Sequence, residues 1–198
     1  MSWTVRSTIV AVALLTLQSG SALAADLIPQ PPGIARCSGG PGGTICLFSR
    51  SFDFDNEPLF GVDGQPMMCG SSQLTESGTL TAKIKWTYDA DGLLTQIQRH
   101  FNAGGSEFTI SNPGPGKSLP NPGHWNETYD LVEPGSFPPV AILTTTGNFF
   151  HVNAPQDGGV YVDVGRIQFS PDFEVLSESG PKAFFDNESL AALCAALT

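Results

Sequence analysis

Thr79-Leu80-Thr81-Ala82-Lys83-Ile84-Lys85-Trp86-Thr87-Tyr88 alternates without a break between apolar and polar side chains. A period of two marks a β-strand with one buried and one wet face. Asp89-Ala90-Asp91-Gly92 follows with turn chemistry, Gly92 being suited to positive φ, and Leu93 to Phe101 returns as a second strand. The segment therefore predicts a β-hairpin, and the rest of the fold is read outward from it.

Downstream, Trp125 to Val132, Val140 to Thr146 and Phe149 to Asn153 are strand-like, with Gly147-Asn148 expected as a tight hairpin turn between the last two. Val160, Val162 and Val164 share one parity while Ile167 and Phe169 occupy the other, which predicts a β-bulge near Gly165. Pro171-Asp172 reads as a turn, and Phe173 to Leu176 and Lys182 to Phe185 as short strands around Ser179-Gly180-Pro181. The run from Asn112 to Gly123 holds Pro113, Pro115, Pro120 and Pro122, whose missing backbone donors predict a long surface loop. Only the end is helical in character: Asp186 or Asn187 can cap, Glu188 complements the positive terminus, and Leu190 to Leu197 are strong helix formers. Many short strands between glycine and proline turns define an all-β class, an antiparallel β-sandwich or a β-barrel-like domain with a short C-terminal helix.

At the other end, Arg6, the apolar run Ile9 to Leu17 and the closing Ala22-Leu23-Ala24 form the three-part pattern of a secretory signal peptide. The apolar run is about half of the ~20 residues that a membrane-spanning helix requires, so stable membrane insertion is not expected. Residues 1–24 are thus read as a signal, 25–43 as an extended proline- and glycine-rich lead-in, and 44–198 as one β domain, secreted or periplasmic if the host has an outer membrane. Export carries Cys37, Cys46, Cys69 and Cys194 into a compartment where paired thiols persist as disulfides. Three pairings are open. The flexible Ser38 to Gly43 segment favours Cys37 with Cys46, leaving Cys69 to hold Cys194. A zinc site lacks its usual C-x-x-C spacing, and no metal or cofactor is expected.

Nine Lys and Arg against 19 Asp and Glu give a formal net charge of −10, a balance that disfavours nucleic acid and anionic membrane surfaces. No G-x-S-x-G elbow and no free thiol supplies an activated nucleophile. The histidines His100, His124 and His151 stand in neither H-x-H nor H-E-x-x-H spacing. Arg99 shares the parity of Ile97 and Phe101, which turns a cation toward the core side, where it needs a partner or an opening to solvent. Arg99, His100, Glu107 and His151 are accordingly the candidate ligand-binding residues. Asp89, Asp91, Asp53, Asp55 and Glu57 carry oxygen ligands but complete no calcium loop.

Tyr88-Asp89-Ala90-Asp91-Gly92-Leu93-Leu94-Thr95 resembles one unit of the tyrosine-aspartate repeats of large secreted β-shell proteins, without a second copy in this chain. Met68-Cys69-Gly70, Arg99-His100, His151-Val152-Asn153, Val164-Gly165-Arg166, Ser170-Pro171-Asp172, Ser179-Gly180-Pro181 and the closing Leu193-Cys194-Ala195-Ala196-Leu197 are similar to segments of a group of uncharacterised secreted bacterial proteins. That resemblance spans about residues 60–198, departs at the proline-rich 112–123 run, and implies a β-sandwich-like domain with a terminal helix, with no catalytic residues to carry over. The expectation is a secreted, non-enzymatic module that binds a small molecule or a surface partner. The alternative is an extracellular hydrolase using His100, Arg99 and Glu107 in a barrel mouth.

Overall fold

The computed structural model describes residues 27–60, 65–104, 107–154, 159–181 and 187–198, so the signal segment and the Lys182 to Phe185 strand lie outside the described residues. In chain order the elements are β1 (Arg36–Gly40), β2 (Gly43–Pro58), β3 (Met68–Cys69), β4 (Ser72–Gln73), β5 (Thr75–Tyr88), β6 (Leu94–Ala103), β7 (Thr109–Asn112), β8 (Lys117–Pro120), β9 (His124–Leu131), β10 (Ala141–Ala154), β11 (Gly159–Phe169), β12 (Val175–Ser179) and α1 (Asn187–Ala196). Ten strands form one sheet in the order β1-β2-β5-β6-β9-β10-β11-β12, with the β7–β8 ribbon attached to β5; β3 and β4 make a separate pair. Every strand pairing within the two sheets is antiparallel.

β5 behaves as its alternation requires: Leu80, Ala82, Ile84, Trp86 and Tyr88 are buried, while Thr79, Thr81 and Lys83 are exposed. Its turn into β6 is closed by the Asp89 carboxylate, whose Oδ1 accepts from the amides of Asp91 (3.0 Å) and Leu93 (2.9 Å), and by Gly92 at φ 80°. On the other side β5 pairs with β2, the longest strand. β2 gives no clean periodic signal because Ile45 and Leu47 sit on the outer face and Arg50 on the same face as Cys46, Phe48 and Phe52. The lead-in is extended, and its second half is the strand β1, held to β2 by the Cys37–Cys46 bridge.

Aromatic packing fills the main core. Phe48 meets Trp86 edge-on at 5.7 Å, Phe54 meets Phe108 at 5.7 Å, and Phe101 stacks on Trp125 at 4.8 Å. Leu27 joins this cluster from the lead-in, and the Tyr88 hydroxyl donates to the Pro29 carbonyl at 2.9 Å. The buried rings of Trp86, Phe101 and Phe108 each remove enough apolar surface to contribute about 2–3 kcal/mol.

Two glycines redirect the sheet. At Gly78, φ 130°, β5 leaves β6 and pairs with β7; a Cβ there would lie 2.6 Å from the Glu107 carbonyl oxygen. Gly147, φ 126°, is the corresponding point in β10. The expected Gly147-Asn148 hairpin turn is not formed: β10 is one strand running through both residues, with a register shift between Asn148 and Phe150. A turn would need the chain to reverse, whereas β11 continues the ladder on both sides of Gly147, β9 ending opposite Asn148, and makes it a bend instead. The irregularity expected near Gly165 falls directly opposite, with the extra residue on β10. The proline-rich 112–123 run is also more ordered than expected. Thr109–Asn112 and Lys117–Pro120 pair as a short edge hairpin, which tolerates proline at its end because that residue need not donate on its outer side.

Beyond the bends, Met67, Leu74, Ile110, Val152, Leu193 and Leu197 form a second core. There the far half of β10 lies beside β8, and the His151 amide donates to the Asn121 side-chain oxygen at 2.8 Å. α1 docks into this cluster through Leu193 and Leu197, both fully buried, and Cys69–Cys194 ties it down with Cα atoms 5.3 Å apart. The result is a mostly antiparallel, sandwich-like β fold with one short C-terminal helix, and both expected disulfides are present. Among the described residues no helix is long and apolar enough to cross a membrane.

Candidate functional site

The pleat that buries Ile84 and Trp86 sends the intervening residues to the opposite, open face of the sheet. Register then decides which of them meet. One cross-strand row on that face is Ser49, Lys83, His100, Asn126, Thr146 and Arg166; the next is Leu47, Lys85, Gln98, Thr128, Thr144 and Gln168. Between and beside these rows runs an open groove of about 740 Å³, crossing β2, β5, β6, β9 and β10, with Ile34 and Arg36 at its β1 rim. Phe48, Ile84, Arg99 and Glu127 also line it. Their side chains have the parity of the core, so they contribute backbone to the floor.

Arg36, Lys83 and Lys85 bring three cations to the groove, and none is in an ion pair with a described residue. His100 lies beside Lys83 in register, its Nδ1 2.8 Å from the Asn126 Oδ1. An amide oxygen there accepts, which places the proton on Nδ1 and leaves Nε2 for another partner. The nearest acid on this face of β9, Asp130, already accepts a hydrogen bond from Gln96 Nε2 at 2.7 Å.

Arg99 sits behind the floor, as its parity predicts. Its Nη1 is 3.7 Å from Glu127 Oε2 and donates to the Tyr129 hydroxyl at 3.3 Å, and its guanidinium lies over the Tyr129 ring, 4.8 Å from the centroid. Glu127 also accepts from Trp125 Nε1 (3.2 Å) and from the Tyr129 hydroxyl (2.9 Å). Burial pushes the Tyr129 phenol well above its usual range, the Glu127 charge and hydrogen bond push the same way, and Arg99 opposes them. Each of the four side chains in this cluster has a partner within it, so the cluster clamps β6 to β9 beneath the groove.

The sequence candidates therefore separate. Arg99 and His100, adjacent in sequence, occupy opposite faces of β6. Glu107 is exposed in the β6–β7 connection beside Gly78, and His151 lies beyond the Gly147 bend, its Nδ1 3.4 Å from Asn148 Nδ2; neither lines the groove. Lys83, Lys85, Arg36, Asn126, Thr128 and Thr146 are among the groove residues that sequence reasoning passed over. The two lysines were visible as polar positions of an alternating strand, but only register shows that they meet His100 and Arg36. Among the described residues no three His, Cys, Asp or Glu side chains gather to hold a metal ion. Compared with known proteins, the chain matches no family model, no curated protein and no solved structure.

Proposed function

We propose that this is an exported, non-enzymatic binding module that holds an anionic ligand in the open groove. Export is supported by the signal-like pattern of residues 1–24 and by two closed disulfides, which persist in oxidising compartments. The observation that carries the ligand's charge is the gathering of Arg36, Lys83 and Lys85, without acid partners, on one face of a chain whose formal net charge is −10. Unpaired cations repel one another, and a bound anion relieves that repulsion while gaining charge-assisted hydrogen bonds.

The test is fluorescence anisotropy with a labelled polyphosphate chain at low and high salt. The wild-type protein should bind at low salt and release the probe at high salt. Lys83→Gln/Lys85→Gln should bind weakly with an unchanged melting temperature, since Lys83 is exposed and Lys85 half-buried without partners. Equal binding by both proteins would refute the assignment.

A further inference from the structure

Resting on that reading, we infer that the groove's ligand is a linear polysaccharide bearing carboxylates, of the uronate type, laid across the strands rather than along them. The groove crosses five strands, a span of about 19 Å at ~4.8 Å per strand interval. It is open along its length, which suits a chain that enters and leaves at both ends more than a small molecule that must be enclosed.

The row Ser49, Lys83, His100, Asn126, Thr146 presents one polar side chain per strand, a repeat commensurate with successive pyranose units of an extended chain. Hydroxyls and amides outnumber cations there. Ser49, Gln98, Asn126, Thr128 and Thr146 suit the sugar hydroxyls, while Lys83, Lys85 and Arg36 suit carboxylates that recur along the chain. Arg166 continues the same row one strand further and is exposed, so a longer chain would meet a further cation.

Other polymers fit less well. β5, β6 and β9 are each paired on both sides, so the floor offers no free edge for a peptide to join as a strand. Single-stranded nucleic acid is held by stacking its bases on aromatic rings. The aromatic ring nearest the floor, Phe48, has the core's parity and packs on Trp86.

The experiment is isothermal titration calorimetry of the full disulfide-bonded chain with oligogalacturonate and alginate hexamers, maltohexaose and hexaglutamate. The uronate hexamers should bind, with Lys83→Gln/Lys85→Gln and Asn126→Ala each lowering affinity about tenfold. Lys117→Gln, on the β8 edge away from the groove, should change nothing. Maltohexaose should bind far more weakly than its charged counterparts. If hexaglutamate binds as tightly as the uronates, or Asn126→Ala has no effect, the polysaccharide assignment falls and the anion groove stands. If none of the charged probes binds and polyphosphate also fails, the groove reading falls with it.

Discussion

Replacing both cysteines of one bridge by alanine separates what each disulfide contributes. Cys69–Cys194 spans 125 positions and Cys37–Cys46 spans 9. The loop entropy removed from the unfolded chain grows with the logarithm of loop length, which gives about 4.9 kcal/mol for the long bridge and about 2.6 kcal/mol for the short one. Cys46 is fully buried, so C37A/C46A also loses the packing of a sulfur, about 1 kcal/mol, and the expected gap narrows to about 1.3 kcal/mol. C69A/C194A should therefore be the less stable variant, and against a total of about 5–15 kcal/mol the loss should be severe. Equilibrium guanidinium denaturation of the two double variants, beside the wild type with and without reductant, reads the order directly. C-terminal proteolysis should accelerate only in C69A/C194A, because α1 keeps Leu193 and Leu197 as its remaining anchors. Equal stability, or a larger loss in C37A/C46A, would refute this account of how the tail is held.

Gly147→Ala should cost more than Gly116→Ala in the same assay. Both have positive φ, about 1 kcal/mol of strain for a non-glycine, but only at Gly147 would the new Cβ strike backbone, 2.7 Å from the His124 oxygen and 2.8 Å from the Trp125 Cα. Glu76 faces Glu57 directly across the β2–β5 ladder, and burial first, then Glu57, raises its carboxyl. A raised carboxyl stabilises the fold in its neutral form, a contribution lost as pH rises. Glu76→Gln should thus stabilise the protein by about 0.5 kcal/mol at neutral pH, and the advantage should vanish below about pH 4. Tyr88 is pushed up to about 12 by burial, and Tyr129 higher still. Stability should be insensitive to these phenols up to about pH 10 and fall above it, with their ionisation, followed by ultraviolet absorbance, appearing only as the fold opens. Glu127→Gln should bring the Tyr129 ionisation to lower pH.

The parts of the fold legible in the sequence are those decided by neighbours in sequence. Leu80 to Tyr88 alternates because one strand packs one face, and Asp89 closes its own turn, so both are visible without partners. The disulfides followed because the Cys37 loop is short and the remaining two thiols had only each other. β2 was obscured because an edge-side strand leaves Ile45 and Leu47 exposed, which blurs the contrast on which alternation depends. Gly147-Asn148 departs from expectation for a related reason: a glycine at positive φ serves a turn or a bend equally well locally, and the choice belongs to β11, which pairs on both sides of it. Parity alone turns Arg99 to the core side, but its partners Glu127 and Tyr129 lie on a strand about thirty positions away, and only register brings them over it.

Register also resolves the apparent conflict between an acidic chain and a cationic groove. Asp53 lies four residues beyond Ser49 on β2, about 14 Å along the strand from the Lys83 row, and Asp89 and Asp91 occupy the turn at the opposite end. Both groups are farther away than the ~8 Å over which exposed charges act at physiological ionic strength, whereas Asp130, two residues beyond Thr128 on the same face of β9, lies closer and accepts a hydrogen bond from Gln96. The stretch of the groove across β2 and β5 is therefore governed by Arg36, Lys83 and Lys85. Net charge describes a far-away observer's view of the protein; a ligand lying across β5 and β6 meets the cations first.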